Sequence, residues 1–89
     1  MDRVDALRRR LEQALSPQRL DIRDDSRLHA GHAGAAGGGG HFTVAIVAEG
    51  FRGLTSLERH RLVYQAVADL MPVEIHALAI QARTPDEST

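Results

Sequence analysis

Apolar side chains recur every three or four residues at the start of the chain: Val4, Leu7, Leu11, Ala14 and Leu15. That spacing predicts an amphipathic helix over 2–15 with these residues on one face. Asp2 is placed to cap it, and Ser16-Pro17 ends it, because a residue preceding proline avoids the helical region. From Arg19 to about Arg27 the period changes to two. Leu20 and Ile22 alternate with Asp21 and Arg23, the mark of a half-buried strand, and Asp24-Asp25-Ser26 marks its exit.

A second alternating run, 41–48, sets Phe42, Val44 and Ile46 on one face and Val47 on the other. Glu49-Gly50-Phe51-Arg52-Gly53 reads as a turn with one aromatic anchor. Thr55-Ser56-Leu57-Glu58 is a capping box, in which the threonine caps the helix and the glutamate reaches back. The helix it opens is expected to reach Leu70 or Met71, with Val63, Ala66, Val67 and Leu70 toward the core. A third strand is expected over 73–83. By alternation His76, Leu78 and Ile80 share one face, and Ile75, Ala77 and Ala79 the other. With apolar residues on both faces, it reads as a central or doubly covered strand. Thr84-Pro85-Asp86-Glu87 resembles a capping start, but only Ser88 and Thr89 follow, so a short stub and a flexible tail over 84–89 are expected.

The order is α-β-β-α-β, an α+β class. The first two strands pair antiparallel, and the helix between strands two and three is long enough for a right-handed parallel crossover. The expected body is a three-stranded mixed sheet with helices on one face. Eighty-nine residues make one domain, 1–89, burying roughly 60–65% of its unfolded surface. There is room for a thin core and none for a deep pocket, so binding or carrier roles outweigh catalysis.

Composition narrows the chemistry. Net charge is −1, which provides no global field toward nucleic acid or anionic membrane. Every basic residue is arginine. Cysteine is absent, so disulfides are excluded and metal chemistry run by this chain alone must use imidazole and carboxylate. No apolar run approaches the roughly 20 residues that span a bilayer, and the start of the chain lacks a leader's apolar stretch. A soluble, cytoplasmic protein is the expectation.

Five histidines are the chemical candidates: His29, His32, His41, His60 and His76. His29 and His32 have metal-ligand spacing on a loop, 28–40, that holds six of the eight glycines, yet loop histidines are often idle and solvated. His41, opening a strand, reads as a structural or supporting group. His76 sits within the apolar run Val73 to Ile80, where a titratable ring needs a partner or a use. It is either a satisfied core histidine or a functional one. Arg59-His60-Arg61 spreads about 200° around its helix, so the three cannot converge on one ligand. Arg8-Arg9-Arg10 could touch phosphates, but no stacking pair of aromatics accompanies it. Gly50-Phe51-Arg52-Gly53 has the G-x-x-G spacing of a KH loop, but between a strand and a helix rather than two helices. No nucleophile–base pair, P-loop or dinucleotide fingerprint is present.

Taken together, Asp24-Asp25-Ser26, His29-Ala30-Gly31-His32, His41-Phe42-x-Val44, Phe51-x-Gly53-Leu54, Arg59-His60-Arg61-x-Val63-Tyr64, Ile75-His76-Ala77-Leu78-Ala79-Ile80 and Thr84-Pro85 resemble the BolA-like family over Leu7 to Pro85. The resemblance implies the class II KH-related α-β-β-α-β body. It implies a non-enzymatic adaptor in iron–sulfur handling and iron homeostasis that forms a heterodimer with a monothiol glutaredoxin. A shared [2Fe-2S] cluster would then take one thiolate from the glutaredoxin, one from glutathione, the imidazole of His76 and a loop ligand, His29 or alternatively His32. The family's other role implies a DNA-binding transcriptional regulator, whose KH-like face would here comprise Gly53, Arg59, His60 and Arg61. Where many members carry a polar segment before the His-Phe strand, this chain has Gly37 to Gly40.

Overall fold

The computed structural model describes residues 2–26, 40–71 and 75–87. Helix α1 spans Arg3–Leu15, strand β1 Arg19–Asp24, strand β2 Gly40–Val47, helix α2 Ser56–Ala66 and strand β3 Ile75–Arg83. Short 3-10 turns at Glu49–Phe51 and Ala68–Leu70 flank α2. The sheet order is β1-β2-β3, antiparallel between β1 and β2 and parallel between β2 and β3. This is the expected mixed α+β body.

Local chemistry sets the boundaries. The Asp2 carboxylate accepts the Asp5 N–H at 2.8 Å and starts α1. Ser16 closes it in the left-handed region, φ 44°, its N–H bonded to the Glu12 carbonyl. Thr55 and Glu58 form the reciprocal capping box at α2. α-Helical bonding in α2 stops at Ala66, short of the expected Leu70, and the chain tightens into the second 3-10 turn.

One core cluster joins Leu7 and Leu11 of α1 with Val63 of α2 and Val67 just beyond it, Phe42, Val44 and Ile46 of β2, and Ile75 and Leu78 of β3. Phe51 anchors the first 3-10 turn into it, fully buried. Ala14, expected on the buried face of α1, is exposed. Helix side chains also grip the sheet backbone. Arg8 donates to the Leu20 carbonyl at 3.3 Å, Tyr64 to that of Leu78 at 3.0 Å and Arg59 to that of Ala82 at 3.2 Å. Arg10 ties α1 to Asp69 beyond α2 at 2.7 Å.

The structure corrects the reading of strand three in two ways. β3 lies at the edge of the sheet, and β2 is the central strand. The outward positions of β3 are small, Ala77 and Ala79, and both are exposed. Alanine is apolar enough to mimic a covered face without needing cover. The alternation also breaks. Gly40 pairs with Ile75 but His41 with Ala77, so His76 is an extra residue, a β-bulge. Ile75 and Leu78 are both buried while His76 and Ala77 are exposed, so His76 does not share the inner face of Leu78 and Ile80.

The segment 84–87 also differs from the expected loose tail. Thr84 is buried, residues 85–87 form a turn, and the Glu87 carboxylate accepts the Thr84 N–H at 2.9 Å. The expected loop ligands fall in 27–39, outside the described residues, as does the start of strand three before Ile75.

Candidate histidine site

β2 and β3 run parallel, which brings their N-terminal ends together at one end of the sheet. There the rings of His41 and His76 meet, centroids 5.1 Å apart and planes tilted by 46°. The bulge explains their different settings. His76 is turned out to solvent, whereas His41 is half-buried with Nε2 withdrawn from water.

His41 is fixed by its backbone. Its N–H donates to Ser26 Oγ at 3.1 Å, and its carbonyl accepts the Asp25 N–H at 2.7 Å. Asp24 in turn accepts the Ser26 N–H at 2.9 Å. The Ser26 hydroxyl, and then its N–H, hold the Asp24 carboxyl below the ordinary carboxylate range. Asp25 is only 12% exposed along its side chain and accepts from the Thr43 hydroxyl and from Arg23 Nε at 2.6 Å. A shallow trough over this end of the open sheet face is lined by Asp25, His41, Thr43, Ala77 and Ala79. Gly40 is required where the strands converge. A Cβ there would stand 2.8 Å from Phe42 Cζ and closer still to Cε2.

Ser26 and Gly40, the residues bordering 27–39, therefore both lie beside His41. Among the described residues, no three His, Cys, Asp or Glu side chains are grouped to hold a metal ion. What the described residues provide is two imidazoles side by side.

The residues expected on a KH-like face differ in exposure. Arg59, 13% exposed along its side chain, donates to the Leu54 and Ala82 carbonyls and to Glu87. His60 is half-buried, Arg61 is exposed, and Gly53 sits in the left-handed region at φ 78°. Two participants escaped the sequence reading. Arg52 binds Asp86 through both terminal nitrogens, at 2.8 and 2.9 Å, and also pairs with Glu49. His41, read only as a supporting group, proves to be the neighbour of His76. Parallel pairing of His41-Phe42-x-Val44 with His76-Ala77-Leu78 is the signal that could have found it.

Comparison with known proteins decides the family: the BolA-like protein family model matches residues 11–87. The chain belongs to the BolA-like family. It is 50% identical over 80 residues to mouse BolA-like protein 1, covering 90% of this chain and 56% of that protein. The chain thus spans about half the length of the curated relatives it first matches. It is 37% identical to the DNA-binding transcriptional regulator BolA of Vibrio cholerae, over 93% of this chain and 76% of that one. The solved structure of BolA1 from Arabidopsis thaliana superposes with a TM-score of 0.85 at 37% identity, covering 100% and 99% of the two chains. The BolA domain of SufE1 from the same plant also scores 0.85, at 38% identity over 98% and 96%.

Proposed function

We propose that this BolA-like protein is a non-enzymatic adaptor for iron–sulfur cluster handling and iron homeostasis. It pairs with a monothiol glutaredoxin and co-ligates a bridging [2Fe-2S] cluster, acting in the cytoplasm. The observation that carries this reading is the bulge that turns His76 out of the core beside His41, at the end of the sheet bordered by Ser26 and Gly40. An exposed imidazole on a strand is a preset ligand, and the two remaining protein-side requirements are a loop imidazole and a partner. His29 supplies the loop ligand, with His32 as the alternative. The partner and its glutathione supply the thiolates, which a chain without cysteine cannot provide.

The cluster is cargo in this scheme, and the chain's own task is to hold and orient donors. Imidazole in place of thiolate lowers the negative charge on a cluster and raises its potential. The His41 ring flanks His76. Thr43 and Arg23 hold Asp25 beneath the same trough.

Co-expression with a monothiol glutaredoxin tests the reading. A coloured heterodimer is expected, with a visible spectrum altered in His76→Ala and in His29→Ala, or in His32→Ala if that residue is the ligand. Colourless, non-interacting proteins, or a spectrum indifferent to His76→Ala, would overturn it.

The relationship to the Vibrio regulator supports a second reading, a DNA-binding transcriptional regulator using the face around Gly53, His60 and Arg61. Duplex titration in rising salt tests it. Phosphate-driven binding weakens linearly in log salt, and no binding at low salt removes this reading.

A further inference from the structure

The helices cover the face of the sheet that presents Phe42, Val44 and Ile46; among the described residues, nothing covers the other face. Strand register arranges that open face in cross-strand rows. Arg19, Val47 and Arg83 make one row, Asp21, Ala45 and Gln81 the next, then Arg23, Thr43 and Ala79, and at the histidine end Asp25, His41 and Ala77. Three adjoining shallow hollows run along these rows. The β1 margin is thus a column of alternating charge, Arg-Asp-Arg-Asp, with Arg19 bonded to Asp21 at 3.0 Å and Arg23 to Asp25 at 2.6 Å. The β3 margin is a column graded in size, with Ala77 and Ala79 at one end and Gln81 and Arg83 at the other, all four exposed.

Both columns are their own complement when reversed. We propose that the open face binds a second copy of this chain, sheet to sheet, about a two-fold axis running across the strands, so that each strand lies antiparallel over its counterpart. In that arrangement Asp21 of each copy faces Arg23 of the other, and Arg19 faces Asp25. The long Gln81 and Arg83 side chains then fill the space over Ala79 and Ala77. Ala45 and Thr43 meet at the centre, small enough for the sheets to approach to the usual ~10 Å. The other two-fold arrangement, with strands parallel, would set Arg19 of one copy over Arg83 of the other in both outer columns, which repels. Asp21 and Arg23 carry the recognition, because their side chains are 63% and 72% exposed while Asp25 is largely buried. Arg19 and Arg23 make their own-chain pairs through Nε, which leaves terminal N–H donors for a second carboxylate. By strand and row spacing the face spans roughly 400 Å² per copy. That is below the size of a permanent interface, so the association is weak, with a dissociation constant on the order of 10⁻⁴ M. The inference does not depend on the proposed cluster role.

Sedimentation velocity on the full chain, from well below to well above that concentration, tests the proposal. Wild type should pass from monomer to dimer. Arg23→Asp and Asp21→Arg each set like charges at both central contacts and should weaken the dimer at least about tenfold. An equimolar mixture of the two variants restores opposite charges at positions 21 and 23 only if the strands run antiparallel. It should dimerise within about threefold of wild type. Circular dichroism checks the fold. If Arg23→Asp fails to fold, Ala79→Arg, at an exposed position, blocks the place taken by Gln81 of the other copy and should abolish the dimer. A monomer at every concentration would overturn the second copy as occupant and leave the face to a different partner. A dimer untouched by Asp21→Arg and by Ala79→Arg would overturn the face. Weakened variants that the mixture fails to restore would overturn the antiparallel arrangement.

Discussion

The rings of His41 and His76 touch across adjacent strands, 5.1 Å between centroids, yet one is half-buried and the other faces solvent. The two rings therefore carry different weight in stability. His41→Ala empties a packed position at the strand junction and should cost about 1–3 kcal/mol in urea unfolding. His76→Ala should stay within about 0.5 kcal/mol of wild type. Equal losses in the two variants would show that the bulge does not turn His76 away from the core.

Gly40→Ala drives a methyl group into the Phe42 ring. A loss of about 1–3 kcal/mol is expected from the urea midpoint. Gly50→Ala is the control: a Cβ there meets nothing within 4 Å, and stability should change by less than about 0.5 kcal/mol.

Acid should weaken the C-terminal turn over a defined window. The folded-state value of Glu87 is depressed from about 4.5 to about 2, so its contribution is complete above the ordinary value and is lost as pH falls from about 4.5 toward about 2. Asp86 and Glu49, both lowered first by hydrogen bonds from Arg52, add losses of the same sign. Unfolding midpoints measured across this range should fall more steeply in wild type than in Glu87→Gln. Parallel curves would mean that Arg59 does not discriminate between the two protonation states.

Tyr64→Phe deletes one hydrogen bond and keeps the ring. Because Tyr64 is 39% exposed, water reaches the released groups, and a loss of about 0.5–1 kcal/mol is expected by thermal melting. A larger loss would mean that the Leu78 carbonyl is cut off from solvent.

Much of the fold was legible because it rests on local patterns. Leu7 and Leu11, the Thr55–Glu58 box and the Phe42-Val44-Ile46 alternation each declare their element within a few residues. The site was less legible because it depends on pairing. Nothing local distinguishes an inward His76 from an outward one. The single-residue slip between Gly40–Ile75 and His41–Ala77 decides it, and that slip belongs to two strands at once. The contacts of Arg59 were hidden for the same reason: its partners Ala82 and Glu87 lie 23 and 28 residues downstream. The exposed alanines of β3 misled, because their hydropathy resembles that of a buried strand.

The bonds from Arg8 to Leu20, Tyr64 to Leu78 and Arg59 to Ala82 fall on the two outer strands of the sheet. Backbone acceptors already engaged by the protein's own helices offer no template to a visiting strand. The fold thereby withdraws these three carbonyls, one on β1 and two on β3, from strand addition.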